Sequence, residues 1–357
     1  MELNYGQNNC VKGIKKMTDE TIIYMKNQRH YRLLLAGGIV FAIAVFIMSL
    51  CFGNYKTSPV DVIYALINPE ANPQTYKIII RSRLPRLLAS VLVGASLSAA
   101  GLTYQDIFSN RMASPDILGV SAGAGVGASV SIYFGLSFLL TGLFAFIGGV
   151  FAVFLTVISS KLFGRNDRTS ASLILAGIVV GGLMNSLLGL FKYLSNDSQL
   201  ASITFWLLGG FYNTNYRQLE LAFPLITLGI IILFLFRWKI VMLRSGDNDA
   251  YTHGINAKFL RRSCIIITTI ITSVAICISG TIGWIGLAIP NLMRLLVQND
   301  GRKLMPLSIV YGILFTEICD LLARTITKTE IPVGIISGFI GAVMFILVLL
   351  IQAKRSK

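Results

Sequence analysis

Apolar positions in this chain form long blocks that show neither a two-residue alternation nor a half-polar helical stripe. Charge-free stretches cover 33–55, 87–105, 117–160, 169–191, 221–236, 263–293 and 331–353. About 20 apolar residues cross a bilayer core as one helix, so these blocks predict membrane-spanning helices, two of them inside 117–160. A shorter run from residue 304 continues through Leu, Ala and Ile, interrupted by Glu317, Asp320 and Arg324, and predicts a further span with functional charges near one end.

Two stretches admit alternatives. ITFWLLGGFYNTN (203–215) is apolar enough to tempt a span, but Gly209, Gly210 and the asparagines suit a short half-helix at the interface. The 263–298 stretch is long for one helix and short for two, and SGTIGWIG (279–286) supplies glycines for a tight turn. With the first interfacial and the second split, the reading is an all-α polytopic protein of ten transmembrane helices, with a half-helix between helices five and six. Residues 1–32 form a cytoplasmic tail, 33–353 the ten-helix domain, 237–262 a cytoplasmic loop and 354–357 a cytoplasmic C-terminus. Lys and Arg then divide 22 inside to 9 outside, and changing either assignment alone puts a strongly basic loop outside, against the positive-inside tendency.

Composition agrees: 54% of residues are hydrophobic and 13% charged. The net charge of +15 is mostly a topology signal, because the basic residues are dispersed over membrane-flanking loops; nucleic acid is not an expected partner. The tail has no apolar core or cleavage site, so it does not read as a signal peptide. Cys10, Cys51, Cys264, Cys277 and Cys319 have no metal-like spacing, His30 and His253 fall in polar loops, and no metal or cofactor is indicated. Gly123, Gly125 and Ala128 satisfy a dinucleotide-type G-x-G-x-x-[GA] pattern, but Ser114-Pro115-Asp116 precedes it and no acidic residue occurs from 117 to 166. The glycines instead predict close helix contacts, as do the small-residue pairs Gly94/Ser98, Gly177/Gly181 and Gly334/Gly338. No catalytic constellation appears, and the spans are almost bare of ionisable groups. Such a carrier is either passive or takes its energy from another polypeptide; a self-contained carrier or channel is the rival reading, and a membrane enzyme the third.

RLPRLLASVLVGASLSAAGLTYQ (83–105), SPDILGVSAGAGVGA (114–128), ITFWLLGG (203–210), GTIGWIGLAIPNLMRLL (280–296), DGRKLMPLS (300–308) and DLLARTITKTEIPVGIISGFIGAVMF (320–345) closely resemble the membrane permeases of type II ABC importers for iron-siderophore complexes, haem and cobalamin. The resemblance implies a ten-helix permease of a bacterial or archaeal cytoplasmic membrane. Two copies, identical or not, would form the path, with two cytoplasmic ATPase subunits and an extracytoplasmic binding protein; the permease itself is not an enzyme.

The resemblance also assigns residues. Asn110 and Met112 fall where the family has its cytoplasmic gate, facing Ser170 and Ala171, although Asn110-Arg111-Met112 departs from the usual Asn-Pro-Leu. MLRSGDNDAYTHGIN (242–256) is similar to the family's ATPase-coupling segment of two short helices, with Gly246, Asp247, Ala250 and Gly254 matching and Arg244 and His253 not. Arg83, Arg86 and Arg324 would receive carboxylates of the binding protein, and Asp320, four residues before Arg324 on one helical face, would pair with it. Asn291 stands where the family often has His. The substrate stays open among a ferric siderophore, favoured here, haem, a corrinoid and an oxyanion.

Overall fold

The computed structural model describes residues 28–53, 57–70, 72–163, 170–297 and 300–355. Residues 1–27, 54–56, 71, 164–169, 298–299 and 356–357 lie outside these. Every regular element among the described residues is helical. In chain order they are α1 (Gln28–Cys51), α2 (Pro59–Ile67), α3 (Pro73–Ile78), α4 (Leu84–Ile107), α5 (Val120–Tyr133), α6 (Phe138–Phe163), α7 (Ser170–Leu194), α8 (Asp197–Leu208), α9 (Tyr216–Met242), α10 (Asp247–Thr252), α11 (Ala257–Ser279), α12 (Ile285–Val297), α13 (Gly301–Thr325) and α14 (Val333–Arg355).

Eight helices are long and apolar enough to cross a membrane: α1, α6, α7, α9, α11, α13, α14 and the column that α3 and α4 build together. The remaining apolar helices, α5 and α12, have 14 and 13 residues. At 1.5 Å per residue each is about 20 Å long, short of a hydrocarbon core of about 30 Å. Both are packed inside the bundle, α5 against α6 and α7, and α12 against α4, α13 and α14. Protein neighbours there tolerate backbone that bare lipid would not. The column containing α4 is the centre of the fold, with 83% of its apolar window buried against 17% for α1.

Local chemistry sets the breaks. Asn196 and Gln199 form a reciprocal capping box that starts α8, and Gly209 at φ 67° ends it, giving the short helix expected between α7 and α9. Between α11 and α12, Gly280 (φ 66°) and Trp284 (φ 72°) make the tight turn read in SGTIGWIG. The phosphate-loop alternative has no place in this geometry, because Gly123 and Gly127 lie within α5 with the Gly148 and Phe144 carbonyls of α6 directly against them. Gly94 packs the same way on Gly312, Gly177 on the Ile117 carbonyl and Gly334 on the Leu208 carbonyl, whereas Gly181 has room for a methyl group.

The segment between α1 and α4 holds more structure than the hydrophobic pattern announces. Ser58 and Asp61 cap α2 reciprocally, with Pro59 at its first position. A single π turn, Ile79–Arg83, then joins α3 to α4 without a break, so Arg83 and Arg86 lie inside a helical column instead of at a free helix start.

Candidate functional site

The helix directions gather Gln28, the turn after α4, the α9–α11 connection, the α12–α13 junction and Arg355 at one end of the bundle. At this end α4 gives way to a turn held by its own polar groups. The Asn110 N–H donates to the Gln105 carbonyl at 3.0 Å, and Asn110 Oδ1 accepts from the Met112 N–H at 2.9 Å. Pro115 opens a 3-10 turn, Pro115–Leu118, and Gly119 at φ 82° directs the chain into α5. Met112 projects from the turn, 58% exposed.

Asn291 fastens the turn to α12. Its amide donates to the Arg111 carbonyl and the Leu287 carbonyl, both at 2.8 Å. The neighbouring Pro290 has no N–H, which leaves the Gly286 carbonyl four residues back without its helical donor. Gln105 Nε2 fills that vacancy at 3.2 Å. Ala171 is exposed at the start of α7, and the side chain of Ser170 lies outside the described residues. Further along, α7 packs Gly177 against the Ile117 carbonyl and Gly181 beside Gly119.

The 243–254 segment is compact. A 3-10 turn (Leu243–Ser245) leads to Gly246 at φ 114°, then α10, then Gly254 at φ 72°. Both glycines occupy backbone conformations that strain any other residue. Ala250 is fully buried, and its carbonyl accepts from the Ile255 N–H at 3.0 Å. Arg261 of α11 pairs with Asp247 at 3.0 Å and donates to the carbonyl of Ile107, the last residue of α4, at 3.1 Å. Asp106, 2% exposed, takes Arg294 of α12 at 2.7 Å and Arg244 at 3.6 Å. One buried carboxylate thus joins α4, α12 and the segment. Sequence reading passed over Asp106 and Arg294 and noted Arg244 only as a departure from the family's coupling pattern, because their separation along the chain hides their meeting.

At the opposite end the three arginines are buried: Arg83 and Arg324 are 5% exposed and Arg86 7%. Arg83 donates to the Leu50 carbonyl, to the Cys51 carbonyl at 3.2 Å and to Thr57 Oγ1 at 2.7 Å. Arg324 Nη1 reaches the Ser49 and Phe52 carbonyls, each at 3.3 Å. Ser49, Leu50 and Cys51 belong to the last turn of α1 and Phe52 directly follows it; no intrahelical donor satisfies these carbonyls, so two arginines cap that helix from its neighbours. Asp320, fully buried, pairs with Arg324 at 3.1 Å as its i,i+4 spacing predicts, and also with Arg86 at 2.7 Å. Arg86 reaches Glu330 at 2.7 Å as well. Exposed cations at this end are Lys77, Arg81, Arg217 and Lys328. Arg86 and Glu330 also border a cavity of about 650 Å³ between the α5–α6 turn, α8 and the start of α14, with Phe138, Phe205, Trp206 and Tyr212 on its walls.

Residues 41–351 match the family described as the FecCD transport family. A Helicobacter pylori protein named as a probable iron chelatin transport system permease is 36% identical over 269 residues, 75% of this chain and 81% of its own length. The vitamin B12 import system permease BtuC of Salmonella newport is 31% identical, covering 94% of this chain and 99% of its own. The molybdate import system permease MolB of Haemophilus influenzae is 33% identical, covering 88% and 94%. A solved structure of a metal-chelate type ABC transporter, in an inward-facing conformation, superposes with a TM-score of 0.80 at 30% identity, covering 88% of this chain and 98% of that one.

Proposed function

The chain belongs to the FecCD transport family, and we propose that it is the permease subunit of an ABC importer that moves a metal chelate, a ferric siderophore first among the candidates. In this reading α5 and α12 complete ten spans, both termini are cytoplasmic, and two permease copies surround the path. Two ATPase subunits meet the 243–254 segment, and a binding protein delivers substrate at the opposite end. Gly246, Asp247, Ala250 and Gly254 shape the coupling segment, while Asn110 and Met112, with Ser170 and Ala171, form the gate.

The observation that carries the reading is the wiring of the segment to the gate. Arg261 and Asp247 tie it to the end of α4, and Arg244 and Arg294 meet on Asp106, four residues before Asn110. A push on the segment is then a push on the gate turn. The cavity of about 650 Å³ at the other end suits arrival of a bulky ligand with aromatic or aliphatic arms. Docking of the binding protein through Arg83, Arg86 and Arg324 has to proceed alongside their intramolecular pairs. The exposed Lys77, Arg81, Arg217 and Lys328 offer carboxylates a contact that disturbs nothing.

The test is reconstitution. Proteoliposomes containing the permease and its ATPase should take up ferric siderophore only with ATP and the binding protein together. Uptake driven by an ion gradient alone would establish the self-contained carrier instead.

A further inference from the structure

A second cavity, of about 340 Å³, lies at the Lys/Arg-rich end, where α6, α7 and α11 meet, away from the gate turn and the aromatic-walled mouth. Its wall is apolar: Val157, Leu173, Ile265 and Ile266. Its rim is basic: Lys161, Lys258, Arg261 and Arg262. Ile266 is 59% exposed and Leu162, beside Lys161, 78% exposed, so the apolar wall continues into the surface that faces lipid tails.

Among the described residues, the rim carries more positive charge than is balanced. Arg261 is paired with Asp247 at 3.0 Å. Among the described residues, Lys161, Lys258 and Arg262 have no ion-pair partner. Lys258 and Arg262 stand four apart on α11, a like-charge spacing that destabilises a helix unless an anion sits between. Lys161, in the last turn of α6, faces them across the groove. A free phosphate would neutralise the rim but leave the apolar wall unused. An acidic protein segment would have to enter at headgroup depth. A molecule with a phosphate at one end and a hydrocarbon chain at the other satisfies both halves, and basic pockets between membrane helices take acidic headgroups in this way.

We propose that this groove is a site for one acidic phospholipid, its phosphate seated among Lys161, Lys258 and Arg262 and an acyl chain lying along Leu173 and Ile266. The proposal rests on the chain being embedded in a membrane and is independent of which substrate it moves.

Native mass spectrometry of the purified full-length permease, titrated with phosphatidylglycerol or with phosphatidylcholine of the same chains, tests it. One phosphatidylglycerol per chain should be retained in preference to phosphatidylcholine. Each basic side chain near a headgroup contributes about fivefold, so the triple variant Lys161→Gln/Lys258→Gln/Arg262→Gln should weaken retention on the order of 100-fold. Neutralising Lys239, Lys303 and Lys354 instead should leave it unchanged. Ile266→Trp, which narrows the apolar wall without changing charge, should also reduce retention, and millimolar glycerol 3-phosphate should not displace the lipid. Arg262→Lys keeps the charge and should keep binding, which guards against a triple variant that fails to fold. Equal retention of both lipids, or equal losses in both triple variants, would overturn the site. Displacement by glycerol 3-phosphate with no effect of Ile266→Trp would make it an anion site only. Loss of ATPase association in the groove triple with lipid retention intact would make it a protein contact.

Discussion

Asn291 spends its amide hydrogens on two backbone carbonyls, Arg111 in the turn after α4 and Leu287 in its own helix. At 2% exposure nothing else is available to replace them. Asn291→Ala removes two part-buried hydrogen bonds and frees the turn, at about 0.5–1.5 kcal/mol for each. Asn291→Asp should be no better, because an ionised carboxylate donates nothing. Thermal midpoints in detergent, together with the rate at which a thiol reagent labels Met112→Cys, check this; an unchanged rate would remove Asn291 from control of the gate. The far-end cluster yields a ranking. Arg86→Ala leaves Asp320 with Arg324, whereas Asp320→Ala leaves two buried guanidinium groups without their shared carboxylate. Removing one side of a buried pair costs about 3–5 kcal/mol, so Asp320→Ala should be the more damaging, as measured by yield of folded protein and by melting. The pairing of Asp320 with Arg324 was legible from their spacing on one helix. The third member, Arg86, was not, because 234 residues separate it from Asp320.

At the scale of elements, the small residues of α5 decide how close α6 comes. A side chain at Gly127 would drive into the Phe144 carbonyl, and one at Gly123 into that of Gly148. Gly127→Leu should separate the helices and reduce folded protein, an overpacking cost of about 1–3 kcal/mol or more. Gly181→Ala, with nothing within 4 Å of the new methyl group, should be harmless or stabilising. Equal behaviour of the two variants in a melting series would mean that backbone approach does not hold this contact. The 243–254 segment gives the converse case. Gly246 and Gly254 have open space around them but positive φ, so alanine strains the backbone by about 1–2 kcal/mol at Gly254 and about 1–3 kcal/mol at Gly246, whose φ 114° and ψ 161° are kept to glycine, while leaving the core intact. The double variant should insert normally and lose transport-linked ATP hydrolysis. Long apolar blocks, the α11–α12 turn and α8 were readable because each carries a strong local signal. The π turn and α2 were not read: the polar and proline-rich sequence between α1 and α4 lacks a long apolar period, and its cues are short ones, the Ser58–Asp61 capping box with Pro59 and the Asn72–Pro73 start of α3.

For the whole molecule, the same sequence feature has different consequences at the two ends. The basic loops gather where the 243–254 segment, the turn after α4 and the groove between α6, α7 and α11 lie, and there most cations stay at the surface. At the opposite end, where the positive-inside tendency made Arg83, Arg86 and Arg324 stand out, folding buries them as caps of α1 and partners of Asp320. Pattern reading identified the anomaly but not its cause, since it sees charge and position along the chain and not which carbonyls a neighbouring helix leaves open. The consequence for docking is testable. If binding-protein carboxylates meet exposed cations, reversing Lys77 and Arg81 to Glu should weaken association while the permease stays folded. The effect should shrink at high salt, where exposed pairs are screened. Reversing Arg83 or Arg324 should instead lower the amount of folded permease, with normal affinity in what survives. Binding-protein affinity for the reconstituted complex at two salt concentrations, normalised to folded permease, separates the two cases. Full affinity in the Lys77/Arg81 reversal would move the contact elsewhere on this end. Lost affinity in an Arg324 reversal that melts like the unaltered protein would return docking to the arginines that the sequence first suggested.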